Sequence, residues 1–111
     1  MTETATGEFH TVGRGDAVAD GAVVPFYLEN VKRRISVARV GEHLYGFDDI
    51  CTCADEGCPL SSGLLDGTTV MCQCHGSEWD LTTGAVTKGP ATQALHTYEV
   101  QVADGALQVR I

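Results

Sequence analysis

Short apolar runs rich in valine, isoleucine and aromatic residues recur along the chain and determine its predicted structure. Their apolar positions partly alternate, which is the pattern of half-buried β-strands. The strands follow one another so quickly that little room is left for a long helix. The predicted strands are residues 21–28, 34–40, 43–47, 69–72, 96–102 and 106–111.

Glycine-containing turns separate several of these strands. They lie at residues 40–43, 65–68, 82–85 and 102–105. Glycine supplies the positive φ angles of tight hairpins, so the sequence predicts an all-β meander of antiparallel hairpins. Small sheets of this kind form a sandwich or an open barrel. No repeat, linker or low-complexity run divides the chain, which predicts a single domain over residues 1–111.

Composition places the chain among ordinary globular domains. It has 111 residues, of which 43% are apolar and 20% are charged, enough for one core. No apolar run reaches the length of a membrane span, about eighteen residues, and Met1–Glu8 lacks the features of an export signal. These observations predict a cytoplasmic protein that does not enter a membrane.

The net charge of the chain indicates which kinds of partner it could bind. Fifteen acidic and seven basic residues give a net charge of −8. Nucleic acids and anionic membrane surfaces would be repelled by such a protein. A partner with a basic surface fits better.

Candidate chemistry is concentrated between residues 51 and 75, which hold all five cysteines and one of the four histidines. In a reducing compartment, a cysteine cluster of this kind is more typical of a metal or redox site than of structural disulfides. The residues are Cys51, Cys53, Cys58, Cys72, Cys74 and His75.

The segment from Cys72 to Gly84 reads Cys-Gln-Cys-His-Gly-Ser-Glu-Trp-Asp-Leu-Thr-Thr-Gly. Together with Leu60-Ser-Ser-Gly-Leu-Leu-Asp-Gly67 before it, this segment resembles the second half of a Rieske iron–sulfur domain. That family has a Cys-x-His box and a Cys-x-x-His box roughly sixteen residues apart. The resemblance implies the Rieske fold, one [2Fe-2S] cluster per chain, and a cluster-binding subdomain at about residues 47–84.

The first box departs from the family pattern, because it reads Cys51-Thr-Cys53 where Cys-Thr-His is expected. If Cys51 is the family cysteine, Cys53 fills the histidine position and the box is two residues longer than usual. If Cys53 is the family cysteine, Asp55 fills that position. A third possibility is that Cys58, and not Cys53, binds the iron. Thiolates are the common ligands of iron in such clusters, whereas a carboxylate suits magnesium or calcium, so the first alignment is preferred.

In that alignment, Cys51 and Cys72 would hold the inner iron, and Cys53 and His75 the outer iron. Two ferric ions and two sulfides carry about +2, so three thiolates and one imidazole leave a net charge of about −1. The extra negative charge stabilises the oxidised form. The resemblance therefore predicts a lower potential than that of a cluster with two histidines.

Other residues near the boxes also resemble functional positions of the family. Cys58 and Cys74 resemble the disulfide pair of high-potential Rieske proteins; the other interpretation is two buried thiols. Ser77 resembles the serine that donates a hydrogen bond to a cluster sulfur. Trp79 would shield the cluster from water or pack in the core, and Pro90 resembles the proline of a loop that covers the cluster.

The resemblance is to Rieske-type ferredoxins, which carry single electrons from a flavin-dependent reductase to the terminal oxygenase of an aromatic-ring hydroxylating system. No second catalytic constellation is visible in the sequence, so we expect an electron carrier and not an enzyme. It is expected to be a monomer that docks weakly and electrostatically. Two alternatives remain open: a structural zinc module using the same four ligands, and a Rieske-like subunit without a cluster.

Overall fold

A computed structural model describes residues 8–29, 33–49, 59–73, 76–89 and 93–110. The described residues form eleven β-strands and one turn of 3₁₀ helix, Leu60–Ser62. None of them belongs to a helix long and apolar enough to cross a bilayer. The strands are β1 (Phe9–Arg14), β2 (Val23–Leu28), β3 (Arg33–Val40), β4 (His43–Asp48), β5 (Leu64–Asp66), β6 (Thr69–Met71), β7 (Glu78–Asp80), β8 (Val86–Lys88), β9 (Thr97–Tyr98), β10 (Val100–Ala103) and β11 (Ala106–Arg110).

These strands build three small antiparallel sheets, which confirms the predicted all-β class. The first sheet has the order β1-β11-β10, the second β2-β3-β4-β9, and the third β5-β6-β7-β8. Most neighbours are sequential hairpins, whereas β1 pairs with β11 from the other end of the described chain. The third sheet contains the segment that follows the first cysteine box.

Each predicted strand segment contains a strand, but one prediction was wrong in detail. Residues 96–102 were predicted as one strand and form two, because β9 pairs with β4 in the second sheet and β10 pairs with β11 in the first. Four strands were not predicted. β5, β7 and β8 have three residues each, too few to show an alternating pattern, and β1 is interrupted by polar residues and a bulge.

The predicted glycine turns are confirmed. Gly41, Gly67, Gly84 and Gly105 all have positive φ, between 59° and 84°. In the last turn Asp104 also has a positive φ, 53°, a conformation that aspartate tolerates better than most residues. These turns set the registers of the hairpins on either side of them.

Two hydrophobic clusters lie on opposite faces of the second sheet. Ile35 and Val37 of β3 belong to the cluster shared with the first sheet, and Ala38 belongs to the cluster shared with the third. Since successive side chains of a strand point to opposite faces, β3 is buried on both. This explains why residues 35–38 are all buried, and it makes the second sheet the middle layer.

Candidate metal centre

The structure describes three of the predicted site residues, Cys72, Ser77 and Trp79. The others lie outside the described residues: Cys51, Cys53, Cys58, Cys74, His75 and Pro90. We call residues 50–58 the first ligand segment and residues 72–77 the second ligand segment. The described residues of the centre are those that flank the first segment and those that begin and end the second.

The second ligand segment reverses the chain between β6 and β7. The amide of Cys72 donates to the carbonyl of Ser77 (2.8 Å), and the amide of Gly76 donates back to the carbonyl of Cys72 (2.8 Å). Gly76 has φ +79°, a conformation that only glycine adopts without strain. These bonds fix both ends of the turn, so that it carries residues 74 and 75 between two fixed points.

Cys72 and Ser77 are both completely buried. Cys72 belongs to the same hydrophobic cluster as Leu60 and Trp79, which are also fully buried. Leu60 follows the first ligand segment by two residues. The chain that follows the first segment and the start of the second thus pack in one core.

A hydrogen bond joins the residues on the two sides of the first ligand segment. Asp49 follows the last residue of β4, and its carbonyl accepts from the amide of Leu60 at 2.5 Å. The amide of Asp49 donates to the carbonyl of Arg34 (3.2 Å), which continues the pairing of β4 with β3 by one residue. The segment therefore leaves the second sheet and returns to the same point.

The side chain of Asp49 is completely buried and fully hydrogen-bonded. Its Oδ1 accepts from Ser36 Oγ (2.7 Å) and from the amide of Ser61 (2.8 Å), and its Oδ2 accepts from Arg34 Nε (2.5 Å). Arg34 is half-exposed, whereas Asp49 and Ser36 have no exposed surface. A buried carboxylate is tolerated only when it is paired in this way.

A turn beyond the second ligand segment is organised by Asp80. Its Oδ1 accepts from the hydroxyl (2.7 Å) and the amide (2.9 Å) of Thr82, and these hydrogen bonds lower the pKa of Asp80. The amide of Gly84 closes the turn onto the Asp80 carbonyl (2.6 Å). The Asp-Leu-Thr-Thr-Gly sequence is therefore a structural turn.

Two hydrogen bonds hold the chain that follows residues 90–92 against the third sheet. The indole Nε1 of Trp79 donates to the carbonyl of Gln93 (3.1 Å), and the amide of Leu95 donates to the carbonyl of Gly84 (2.7 Å). Trp79 is completely buried in the core, which agrees with the core interpretation of this residue. Its shielding of a cluster stays a prediction, as does the covering role of Pro90.

A polar network lies beside the beginning of the first ligand segment. Tyr98 donates its hydroxyl proton to Asp48 Oδ1 (2.5 Å) and accepts from Arg33 Nη1 (2.8 Å). Burial, followed by the hydrogen bond to Asp48, raises the pKa of Tyr98 to about 12. The hydrogen bond with Tyr98 raises the pKa of Arg33. The network ties β9 to the end of β4.

None of the three histidines outside the boxes is fully buried. His43 and His96 are exposed and His10 is half-buried. His96 packs its ring against Tyr98, with 4.6 Å between ring centroids. Within the described part of the chain, no three histidine, cysteine or acidic side chains gather as a metal site.

The residues present fit an iron–sulfur cluster. The two segments supply five thiols and one imidazole, which are soft or intermediate donors suited to iron–sulfur chemistry. Leu60 after the first segment and Cys72 at the start of the second are buried in one hydrophobic cluster. No buried polar side-chain atom among the described residues lacks a hydrogen-bond partner, so the surroundings are preorganised.

Sequence reasoning missed the role of Asp49, Arg34 and Ser36 in joining the two ends of the first ligand segment. Arg34 and Ser36 precede the segment by more than a dozen residues. The only local signal was the acidic pair before Cys51, which matches the family's approach to the box. Contacts between side chains on neighbouring strands need the register of β3 and β4, which the sequence pattern does not provide.

Comparisons with known proteins bear on this centre. The Rieske [2Fe-2S] domain family matches residues 8–99. The anthranilate 1,2-dioxygenase ferredoxin subunit of Burkholderia cepacia is 28% identical over all of this chain and 99% of its own length. The solved structure of the Sphingomonas yanoikuyae B1 ferredoxin superposes with a TM-score of 0.84 at 28% identity, covering 94% of this chain and 99% of the other.

A third match comes from a solved complex of reduced oxygenase and oxidized ferredoxin in carbazole 1,9a-dioxygenase. One chain of that complex superposes with a TM-score of 0.80 at 28% identity. The match covers 92% of this chain and 92% of that one.

Proposed function

The chain belongs to the Rieske [2Fe-2S] domain family, and we propose that it is a ferredoxin that passes single electrons to the terminal oxygenase of a ring-hydroxylating dioxygenase system. The observation that carries the proposal is that Leu60, which follows the first ligand segment, and Cys72, which begins the second, are buried in the same hydrophobic cluster. The full-length similarity to a dioxygenase ferredoxin subunit supports it. The chain is an electron carrier and not a catalytic enzyme.

When bound, a [2Fe-2S] cluster accepts and releases one electron at a time. The protein's part is to hold the ligand segments in place and to keep water out of the core. The burial of Cys72 and Leu60 and the positive φ of Gly76 support such a role for the two segments. We infer that the cluster-binding subdomain spans about residues 47–84, within a single domain of residues 1–111.

We propose Cys51, Cys53, Cys72 and His75 as the cluster ligands. Of these, Cys72 is the one whose position supports the assignment, because it lies buried at the start of the second segment. Three thiolates would place the reduction potential below that of a centre with two histidines. We further propose that Ser77, buried at the end of the same segment, donates to a cluster sulfur, and that Cys58 and Cys74 form a disulfide between the segments.

A pair of substitutions tests the ligand assignment. If Cys53 binds the outer iron, C53H should restore a two-histidine centre and raise the potential by about 100–300 mV. The matched variant D55H should leave the potential nearly unchanged. If instead Cys53 holds the inner iron and Asp55 the outer iron, C53H should lose the cluster and D55H should raise the potential, which would contradict the assignment.

We propose that the electron donor is a flavin-dependent ferredoxin reductase and that both partners bind briefly and electrostatically. The complexes of ferredoxin with oxygenase known for a relative support the oxygenase as a partner. The net charge of −8 supports docking to basic surfaces, and screening should weaken such docking at high salt. We also propose a cytoplasmic location and a monomeric state.

Stopped-flow measurement of electron transfer to a terminal oxygenase tests the function directly. The rate constant at low ferredoxin concentration should fall steeply as the salt concentration rises. A reduced protein that transfers no electron to any ring-hydroxylating oxygenase would contradict the proposal.

A further inference from the structure

We propose that Asp49 is a positioning residue that clamps the first ligand segment at its base and thereby holds its cysteines for the cluster. The inference rests on the proposed function, because it assigns a role toward the cluster. It is carried by hydrogen bonds in which Asp49 uses its amide, its carbonyl and both carboxylate oxygens. All of these contacts involve described residues.

The clamp joins three parts of the fold. Arg34 and Ser36 lie on β3, Asp49 lies just beyond β4, and Ser61 lies in the 3₁₀ turn that follows the first ligand segment. The carboxylate Oδ1 receives hydrogen bonds from β3 through Ser36 (2.7 Å) and from the turn through the Ser61 amide (2.8 Å). The Oδ1 atom of Asp49 therefore connects the second sheet to the turn that follows the first ligand segment.

The backbone completes the closure. The Leu60 amide donates to the Asp49 carbonyl (2.5 Å), next to the bond from the Ser61 amide to the Asp49 carboxylate (2.8 Å). Two consecutive amides after the segment are thus bound by the one residue before it. Because Leu60 is fully buried in the same hydrophobic cluster as Cys72, the clamp also fixes the chain after the first segment in the core that holds the start of the second.

A carboxylate suits this position better than any neutral group. It presents acceptors only, and the three groups that surround it are all donors. An asparagine would keep one acceptor oxygen, but its NH₂ would face a donor, either Arg34 Nε or the pair formed by Ser36 and Ser61. Hydrogen bonds to ionised groups are the stronger class, so the base of the segment should open more readily in D49N.

Asp48 provides a matched control. It is the adjacent residue, it is also an acidic side chain that accepts a short hydrogen bond, and its partner is Tyr98 Oη at 2.5 Å. That contact ties β4 to β9 and does not cross the base of the first ligand segment. D48N should therefore affect general stability without opening the segment.

The experiment compares wild-type holoprotein with D49N, S36A and D48N. In hydrogen–deuterium exchange the amide of Ser61 should exchange at least about tenfold faster in D49N, since its charged acceptor is lost. The amide of Leu60, which donates to the Asp49 carbonyl, should exchange faster because the base of the segment opens more often. S36A keeps the carboxylate and should show a smaller increase, about twofold to fivefold. D48N should exchange at these amides as the wild type does.

Iron release to a chelator, measured by loss of the visible absorbance, should follow the same order, and the reduction potential of D49N should differ from that of D48N. Equal exchange and equal iron release in D49N and D48N would overturn the clamp. If D49N does not fold, S36A against D48N decides the comparison in the same way. A wild-type protein without a cluster would contradict the proposed function, while exchange at Leu60 and Ser61 would still test the clamp itself.

Discussion

Replacing Tyr98 by phenylalanine should weaken the protein by an amount that depends on pH. The hydroxyl donates to Asp48 Oδ1 at 2.5 Å and accepts from Arg33 Nη1 at 2.8 Å, in a side chain that is only 9% exposed. The substitution keeps the ring in the core and removes both hydrogen bonds. From the usual value of a hydrogen bond to a charged group, Y98F should lose about 1–2 kcal/mol of stability near pH 8.

The pH dependence follows from the raised pKa of this tyrosine. Its pKa is about 12 in the folded protein and about 10 in an unfolded chain. The folded state therefore holds the proton more tightly, so the hydroxyl's contribution is intact below pH 10 and is lost as the pH rises toward 12. A pKa difference of about two corresponds to about 2.7 kcal/mol of stability. We expect only about 1–2 kcal/mol, because water screens the exposed guanidinium of Arg33.

Urea unfolding of wild type and Y98F between pH 8 and 12 provides the assay. Other tyrosines and the lysines titrate in both proteins and cancel in the difference between their free energies of unfolding. That difference should shrink from about 1–2 kcal/mol at pH 8 to near zero at pH 12. A difference that stays constant from pH 9 to 12 would contradict this prediction, because it would mean that Tyr98 titrates alike in the folded and unfolded states.

Two further substitutions test the contacts of the third sheet. W79F should destabilise the protein by about 1–3 kcal/mol, because it removes the hydrogen bond to the Gln93 carbonyl and leaves space in the core; unchanged urea unfolding would contradict that contact. G84A should cost at least about 2 kcal/mol, because an added Cβ would lie 2.2 Å from the Leu95 carbonyl oxygen and Gly84 has φ +84°. G67A is the control for G84A, since Gly67 also has a positive φ but an added Cβ there meets nothing within 4 Å; thermal unfolding should show a smaller loss, about 1 kcal/mol.

The sequence predicted the parts of the fold that depend on local signals. Hairpin turns were found because Gly41 and Gly105 mark positions that need a positive φ. The central strand β3 was found because residues 35–38 are apolar or small on both of its faces. The break between β9 and β10 was missed, since a change of sheet at Glu99 leaves no local mark in an apolar run.

In the candidate site, too, the residues in a local motif could be predicted and those that depend on distant contacts could not. Cys72, Ser77 and Trp79 could be chosen from the sequence, because they stand in a motif of fixed spacing. The role of Asp49 could not, because its partners Ser36 and Ser61 lie 13 and 12 residues away on different elements. Only the register of β3 against β4 and the return of the chain after the first ligand segment bring these groups together.

Electron paramagnetic resonance of the dithionite-reduced protein, combined with its iron, sulfide and zinc content, is the decisive experiment for the proposed electron carrier. We predict one [2Fe-2S] cluster per chain and a reduced signal that reports mixed sulfur and nitrogen ligation. The average g value should correspond to fewer nitrogen ligands than in a two-histidine Rieske centre. Zinc in place of iron, or freshly prepared protein with neither metal nor signal, would rule out an iron–sulfur electron carrier and leave only the fold of the family.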